Sequence, residues 1–179
     1  MERSVLLQIL EKLKDLEYCF FAGTAVAAYS NGKRQPGDLD ILVHEKDIDK
    51  FAQRMGCKAE KRIIKKANFI IEDYGFETIF LGQQIEAVSG FPKRRMETIK
   101  MQKTFKNKVK MTYLGCEVFL TPIEELLAHK AFLHRDKDIN DLILLKGNPI
   151  NSDLVKEFAE DWGDKEGILS VLRKIGYNL

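Results

Sequence analysis

The sequence predicts an α/β (α+β) fold, in which a mixed β-sheet with flanking helices is followed by a C-terminal helical bundle. Helical and short apolar strand patterns alternate over residues 1–56, β-type runs continue to residue 120, and only helical patterns follow. Strands and helices in this order typically build one mixed sheet that carries helices. The joint at Thr121-Pro122 is the predicted boundary between a core over 1–120 and a helical region over 121–179.

The elements of the first part are predicted from apolar spacing and turn residues. Apolar residues at helical spacing indicate the first helix, and an aromatic run that ends at Gly23 indicates a buried strand. Thr24 is placed to cap the helix that follows, and Asn31-Gly32 closes that helix. The predicted elements are a helix over 3–16, a strand over 18–21, a helix over 24–29, a strand over 38–43 and a helix from Asp47.

The remaining elements are predicted from β-type runs and helix-start signals. Tyr74-Gly75 and Gly82 are predicted to separate three strands, and Gly115 to turn a hairpin. Thr121-Pro122-Ile123-Glu124 has the pattern of a capping box with Pro at the first helical position. The predicted strands are 68–72, 77–81, 84–89, 108–114 and 116–120, and the predicted helices are 122–134, 137–146, 152–162 and 165–175.

The composition is that of an ordinary globular chain. The protein has 179 residues, of which 45% are apolar and 31% charged, with a net charge of +2 that identifies no partner. No apolar run reaches the roughly 18–20 residues that cross a bilayer, and the N-terminus does not resemble a signal peptide. The cysteines are widely separated and lack CxxC spacing, which indicates reduced thiols. We therefore expect a cytoplasmic protein without a membrane segment, and leave its oligomeric state open.

Two aspartates in the 38–43 strand indicate a metal site. Asp38 and Asp40 are two residues apart, so in a strand their carboxylates lie on one face while Leu39 and Ile41 face the other way. Two like charges at this separation repel each other unless a cation lies between them. Mg²⁺ binds carboxylate oxygens and shares its other positions with water and phosphate. Phosphoryl or nucleotidyl transfer is the chemistry that this arrangement suggests.

Gly23-Thr24 is a candidate phosphate site, because it follows a strand and opens a helix. The N-terminus of a helix presents N–H groups and a positive dipole end to an anion. Gly23 allows close approach of the backbone, and the Thr24 hydroxyl can donate to a phosphate oxygen. A plain helix cap is the alternative interpretation of this pair.

Taken together, the strand, the Gly23-Thr24 turn, the helix and the Asp38–Asp40 strand resemble the nucleotidyltransferase superfamily of the DNA polymerase beta type. Members of that superfamily carry a Gly-Gly or Gly-Ser turn, a helix and an Asp-x-Asp strand, and residues 18–43 are similar to this pattern, with Thr24 in place of one small residue. The resemblance implies a nucleotidyltransferase-like mixed sheet, a nucleoside triphosphate as substrate and two Mg²⁺ ions.

The same resemblance implies a third carboxylate from a later strand. Glu86 is the acidic residue of the predicted 84–89 strand and would complete the metal cluster with Asp38 and Asp40. Asp is usual at this position in the family, so the longer Glu side chain changes the metal geometry. An outward-facing surface Glu is the alternative.

Residues 130–142 resemble nucleotidyltransferases related to the abortive-infection toxin group, which carry a Lys…Arg…Lys-Asp-x-x-Asp-Leu segment. The resemblance implies that Lys130 reaches toward the triphosphate or balances the carboxylate cluster, and a surface ion pair is the equally weighted alternative. For Asp138 and Asp141, structural pairing or capping is favoured. Arg34, in the turn before the acidic strand, is a further candidate for nucleotide binding.

A basic stretch and three histidines offer other possibilities. The stretch could attract an RNA acceptor, although most such runs are solvated faces. Phe91 and Phe105 could stack a base, although a core position is favoured for both. His44, His129 and His134 form no ligand pattern. The basic residues are Lys93, Arg94, Arg95, Lys100, Lys103, Lys106, Lys108 and Lys110.

The sequence therefore favours a metal-dependent nucleotidyltransferase that moves a nucleoside monophosphate, with ATP as a candidate donor, to an unknown acceptor hydroxyl. RNA, protein and a small molecule are all possible acceptors. The first alternative is a catalytically inactive nucleotide-binding regulator, or an antitoxin-like partner protein, of the same fold. The second is an RNA-binding module that uses the basic stretch.

Overall fold

The computed structural model describes residues 1–66, 69–89, 91–92, 98–99 and 102–179. The helices are α1 (Arg3–Leu13), α2 (Ala22–Tyr29), α3 (Ile48–Arg54), α4 (Gln102–Lys106), α5 (Ile123–Leu133), α6 (Asp136–Leu144), α7 (Ser152–Asp161) and α8 (Lys165–Ile175). The strands are β1 (Tyr18–Phe20), β2 (Asp38–Val43), β3 (Glu60–Lys66), β4 (Phe69–Phe80), β5 (Gln83–Val88), β6 (Phe91–Pro92), β7 (Thr98–Ile99), β8 (Val109–Tyr113) and β9 (Cys116–Leu120).

Seven of the strands form one mixed sheet with the order β3-β4-β5-β2-β1-β9-β8. β2 pairs with β1 antiparallel and with β5 parallel, and β1 pairs with β9 parallel. The outer pairs β3–β4, β4–β5 and β8–β9 are antiparallel hairpins. β2 therefore lies in the middle of the sheet, where both of its neighbours fix its position.

Each face of the sheet is covered by its own group of helices. On one face, Leu39 and Ile41 of β2 pack into a core that includes Leu6 and Ile9 of α1 and Phe51 of α3. On the opposite face, Leu42 packs with Cys19, Val88 and the apolar residues of α5 to α8, among which Trp162 is fully buried. Alternation along β2 thus places Leu42, and the two aspartates with it, on the face that the C-terminal helices partly cover.

The predicted fold class is confirmed: the sheet is mixed, and helices flank and follow it. β2 has the predicted bounds, β8 and β9 form the predicted hairpin, and α8 spans the predicted residues. The division of the chain between residues 120 and 121 stays a prediction. In the part of the chain that the structure describes, no helix is both long enough and apolar enough to span a membrane.

The predicted break at Tyr74-Gly75 is wrong, because β4 continues through both residues, and β3 was not predicted at all. Gly75 is required for close packing of two strands, and it does not form a turn. A Cβ on Gly75 would lie 2.1 Å from the carbonyl oxygen of Ala87, so only glycine permits this approach of β4 to β5. The short helix α4 was also missed.

Two predicted helix starts differ from the observed ones. α2 begins at Ala22 with Phe21 as its N-cap, so Thr24 lies inside the first turn and is not a cap. The predicted capping box at Thr121 does not form, since Pro122 is the N-cap of α5. Instead, the hydroxyl of Thr121 donates a hydrogen bond to the carboxylate of Glu125, at 2.9 Å.

Candidate metal centre

Three carboxylates converge where β2 and β5 lie side by side. The parallel register pairs Asp38 with Gln84 and Asp40 with Glu86, so the side chains of Asp40 and Glu86 are neighbours on one face of the sheet. Asp38 precedes Asp40 by one strand repeat and lies on the same face. One oxygen from each of Asp38, Asp40 and Glu86 lies within 4.8 Å of the others.

Asp40 is held against the start of α2 by hydrogen bonds to its side chain, its backbone N–H and its backbone carbonyl. Its Oδ2 accepts a hydrogen bond from the backbone N–H of Gly23 at 3.0 Å, and its own N–H donates to the Thr24 hydroxyl at 3.0 Å. The backbone N–H of Phe21 donates to the carbonyl oxygen of Asp40 at 3.2 Å. Asp40 is only 7% exposed. These contacts fix the carboxylate before any ligand arrives.

The turn between β1 and α2 has little free space. Ala22 has a φ of 45°, a left-handed value that costs free energy for a residue with a side chain. A Cβ on Gly23 would lie 3.4 Å from Asp40 Oδ2 and 3.9 Å from a guanidinium nitrogen of Arg34. Thr24 is fully buried, and its hydroxyl lies 3.5 Å from the carbonyl oxygen of Asp38, to which it donates. Donation from this hydroxyl to a phosphate stays a prediction.

Crowding of the carboxylates changes their acidity. Burial raises the pKa of Asp40 to about 7, with further increases from the charges of Asp38 and Glu86, while Lys130 and the Gly23 N–H act in the opposite direction. Burial also raises the pKa of Glu86, although Arg62 lowers it. A divalent cation among the three oxygens would relieve this repulsion, and an all-carboxylate donor set fits Mg²⁺.

Arg62, on β3, contacts Glu86 of the centre, and sequence reasoning missed it. Its Nη2 donates to Glu86 Oε1 at 3.1 Å. The same guanidinium donates to both oxygens of Asp73, at 2.7 and 2.8 Å, and to Glu77 at 3.0 Å. Since β3 itself was not predicted, nothing in the sequence pattern placed this cation beside Glu86.

A second cluster of charged residues lies near Asp40, where Lys130 of α5 meets Asp138 and Asp141 of α6. The Nζ of Lys130 is buried and lies 2.7 Å from Asp141 and 3.3 Å from Asp138. Arg34 donates from Nε to Asp141 at 3.0 Å. Asp138 also accepts a hydrogen bond from the N–H of Arg135 at the start of α6. The favoured interpretation of Asp138 and Asp141 as pairing and capping residues is confirmed.

Three lysines in the described part of the basic stretch are paired with acids. Lys103 lies 2.9 Å from Asp161, Lys108 lies 3.7 Å from Glu17, and Lys110 lies 2.6 Å from Glu117. Phe105 is buried, as its favoured core interpretation predicts. The side chain of Phe91 and the residues Lys93, Arg94, Arg95 and Lys100 lie outside the described residues.

The histidines do not contribute to the centre. His129 is buried and stacks on Trp162, with ring centroids 5.1 Å apart, and burial lowers its pKa to about 3. His44 accepts a hydrogen bond from the N–H of Lys46 at 3.3 Å. Across the residues with described positions, Asp38, Asp40 and Glu86 are the group whose ligand atoms could hold a metal ion.

Comparison with known proteins shows the fold of this chain. No family model and no curated protein sequence matches it. A solved structure from Thermotoga maritima, described as a candidate nucleotidyltransferase, is 16% identical with a TM-score of 0.58, and the match covers 79% of this chain and 92% of that one. The mixed sheet and its helices therefore form a nucleotidyltransferase-like fold.

Two further solved structures match over most of their length at lower TM-scores. The antibiotic-resistance factor ANT(2'')-Ia is 11% identical with a TM-score of 0.49, over 96% of this chain and 89% of that one. An antigenic nucleotidyltransferase-like protein from Paracoccidioides brasiliensis is 19% identical with a TM-score of 0.46, over 98% and 92%.

Proposed function

We propose that this chain, whose fold is nucleotidyltransferase-like, is a metal-dependent nucleotidyltransferase that moves a nucleoside monophosphate from a nucleoside triphosphate to an acceptor hydroxyl. The observation that carries the proposal is the convergence of Asp38, Asp40 and Glu86 within 4.8 Å beside the start of α2. Three crowded carboxylates raise the free energy of the metal-free protein, a cost that a metal-binding function explains.

In this proposal Asp38 and Asp40 hold Mg²⁺, and Glu86 completes a site for a second ion. When bound, Mg²⁺ would activate the acceptor hydroxyl and neutralise the charge that develops on the departing pyrophosphate. Asp40 is pre-oriented for this task, since Gly23 already holds one of its oxygens. Asp38 and Glu86 are half-buried, so they remain accessible to ions and substrate.

The triphosphate is expected at the start of α2, near the side chains of Arg34 and Lys130. Arg34 lies beside Gly23, and Lys130 is close enough to Asp40 to lower its pKa. The N-terminus of α2 adds the positive end of its dipole. Gly23 and Thr24 keep this turn in contact with Asp40. Because Arg34 and Lys130 are already paired with acids of α6, bound Mg²⁺ would supply most of the charge that attracts the phosphates.

The transfer is a substitution at the α-phosphorus. The acceptor hydroxyl oxygen forms a bond to the α-phosphorus and releases its proton to water, and the bond from that phosphorus to the oxygen that bridges it to the β-phosphate breaks. Pyrophosphate leaves with the electron pair of the broken bond, so atoms and charge balance without an oxidant or reductant. The contribution of this chain is to align the reacting groups and to stabilise charge.

From the resemblance of residues 130–142 to the abortive-infection toxin group, we further propose that this segment belongs to the site; RNA, protein and small-molecule hydroxyls are all candidate acceptors. The buried pairing of Lys130 with Asp138 and Asp141 gives this segment a fixed place beside the proposed phosphate site. Separation of labelled RNA, protein and small molecules distinguishes these acceptor classes.

One observation favours the alternative of a catalytically inactive nucleotide-binding regulator or antitoxin-like partner protein. Glu86 already has a cationic partner in Arg62 at 3.1 Å. A chain that had lost its second metal could keep such a pair as a structural replacement. The regulator would bind ATP with one metal ion and transfer nothing.

A labelling experiment separates the transferase from the regulator. The purified chain is incubated with Mg²⁺, cell extract and each α-labelled triphosphate, and labelled RNA, protein and small molecules are separated. We expect label on one acceptor class, none with Asp40→Asn, and a decrease of about 10²–10⁴-fold with Glu86→Gln while ATP binding persists. Asp153→Asn, at an exposed carboxylate on α7, is the matched control.

The opposite results would identify the regulator. Absence of labelled product with every triphosphate, together with thermal stabilisation by Mg²⁺ and ATP that Asp40→Asn removes, would contradict transfer and support nucleotide binding alone. Absence of both would exclude a nucleotide site.

A further inference from the structure

Arg62 is a partly buried cation that shares its donors among carboxylates of two other strands. Its side chain is 13% exposed, and its partners are Asp73 and Glu77 on β4 and Glu86 on β5. Removing a guanidinium from water is costly unless its donors are satisfied. The arrangement therefore holds Arg62 firmly at the edge of the acidic group.

The anchor of Arg62 is Asp73, not Glu86. Arg62 and Asp73 face each other directly in the β3–β4 register, and two guanidinium nitrogens donate to the two oxygens of Asp73. Bidentate pairs of this kind are among the strongest hydrogen bonds in proteins. Glu86 receives only Nη2, which it shares with Asp73. Arg62 would thus stay in place if Glu86 turned to another partner.

Glu86 is also one of the three residues of the candidate metal centre. A guanidinium and a divalent cation repel each other and compete for the same carboxylate oxygens. Any ion that binds to Glu86 must do so beside a positive charge that cannot move away, because Asp73 holds it. The affinity of the centre for metal is then set by this cation as well as by the three ligands.

We infer that Arg62 controls metal occupancy at Glu86: in the metal-free protein its guanidinium takes the place of a cation there, and it weakens the binding of a metal ion on that side. This inference rests on the proposed function, since it assumes that Asp38, Asp40 and Glu86 bind metal. It makes Arg62 a positioning residue that acts through Glu86. Binding of a metal ion to the Glu86 carboxylate would then depend on the additional negative charge that a triphosphate brings.

Titration of the protein with Mn²⁺, without nucleotide, measures this effect directly by the decrease of the free Mn²⁺ signal in electron paramagnetic resonance. We expect Arg62→Gln to bind Mn²⁺ about tenfold more tightly than the unmutated chain, a typical size for coupling between adjacent charges. Lys61→Gln is the matched control: it removes the same charge from the preceding residue of β3, which is exposed and on the opposite face. It should change the affinity by less than about twofold.

Two further variants make the test specific. In the double variant Arg62→Gln/Glu86→Gln the gain in affinity should disappear, since the gain requires Glu86. If Arg62→Gln does not fold, as judged by circular dichroism, Arg62→Lys replaces it. Lys keeps the charge but lacks the planar fork that binds Asp73, so we expect a smaller gain that still exceeds that of Lys61→Gln.

Unchanged or weaker Mn²⁺ binding in a folded Arg62 variant would overturn the inference and leave the transferase proposal intact. A gain that persists in the double variant would also overturn it, because Asp73 and Glu77 would then be the new ligands. Failure of the proposed function has a different signature: no Mn²⁺ binding by the unmutated chain or by Arg62→Gln, with or without ATP.

Discussion

Asp40 concentrates the conflict between stability and function at a single residue. It is buried beside two other carboxylates, and its pKa is raised to about 7 from the ordinary value of 3.8. A carboxyl with a raised pKa favours the folded state at low pH and loses that contribution as the pH rises through the folded-state value. The metal-free protein should therefore become less stable across the window from about pH 4 to pH 7.

The residue-scale prediction is that Asp40→Asn removes this pH dependence of the free energy of unfolding. The amide oxygen can still accept the hydrogen bond from Gly23, while the charge that repels Asp38 and Glu86 is gone. In urea unfolding with a chelator, the variant should match the unmutated chain at about pH 3.5 and exceed it by on the order of 1–4 kcal/mol at pH 7.5. Greater loss of stability in the variant at pH 7.5 would show that the ionised pair is structural.

The three candidate metal ligands also show what the sequence can and cannot predict at this scale. Alternation in a strand is a local property, so the shared face of Asp38 and Asp40 follows from their spacing alone. Glu86 meets them only because β5 pairs with β2 in parallel and in one register, which depends on the whole sheet. Arg62 could not be predicted, since its partners lie on β4 and β5 and its own strand was missed.

At the scale of elements, local sequence patterns predicted the strands and helices correctly wherever long-range packing does not override them. β2, the β8–β9 hairpin and α8 have clear periodicity and end at turn or cap residues, and all were predicted. The apparent turn signal at Tyr74-Gly75 misled because glycine serves two purposes. It permits unusual backbone angles, and it also permits a neighbouring strand to approach closely, as β5 does here.

The element-scale prediction is that Gly75→Ala disrupts the β4–β5 pair. The new methyl group would lie 2.1 Å from the carbonyl oxygen of Ala87, so one strand must move. We expect the free energy of unfolding, measured in urea, to decrease by about 1–3 kcal/mol. Mn²⁺ binding should also be weaker, because β5 carries Glu86. Gly37→Ala is the control, since a Cβ there meets no atom within 4 Å. Equal stability of the two variants would contradict the packing explanation.

At the scale of the whole molecule, the sheet and the C-terminal helices meet at a buried acid. Glu125 of α5 is fully enclosed and accepts a hydrogen bond from Thr121, near Trp162 at the end of α7. Burial raises the pKa of Glu125 to about 8, so the group is largely protonated at neutral pH. Its contribution to stability is present below the ordinary value of 4.5 and is lost as the pH rises through about 8.

Glu125→Gln should therefore protect the junction between the sheet and the helices from alkaline pH. Thermal unfolding at pH 4 should give similar midpoints for the variant and the unmutated chain, and at pH 9 the variant should unfold at a higher temperature. Glu117→Gln, at an exposed residue of β9, controls for the change in net charge. A parallel decrease in all three proteins would show that Glu125 does not titrate in this range.

The position of β1 between β2 and β9 has a consequence for synthesis of the chain. β1 pairs through Phe20 with Leu120, one hundred residues later, and its three residues are all buried in the folded protein. Until residues 116–120 leave the ribosome, β1 has an unpaired edge of the kind that recruits strands from other chains. Pairing at such long range also slows folding. Premature termination before β9 should thus release aggregation-prone chains, even though all three candidate metal ligands have already been made.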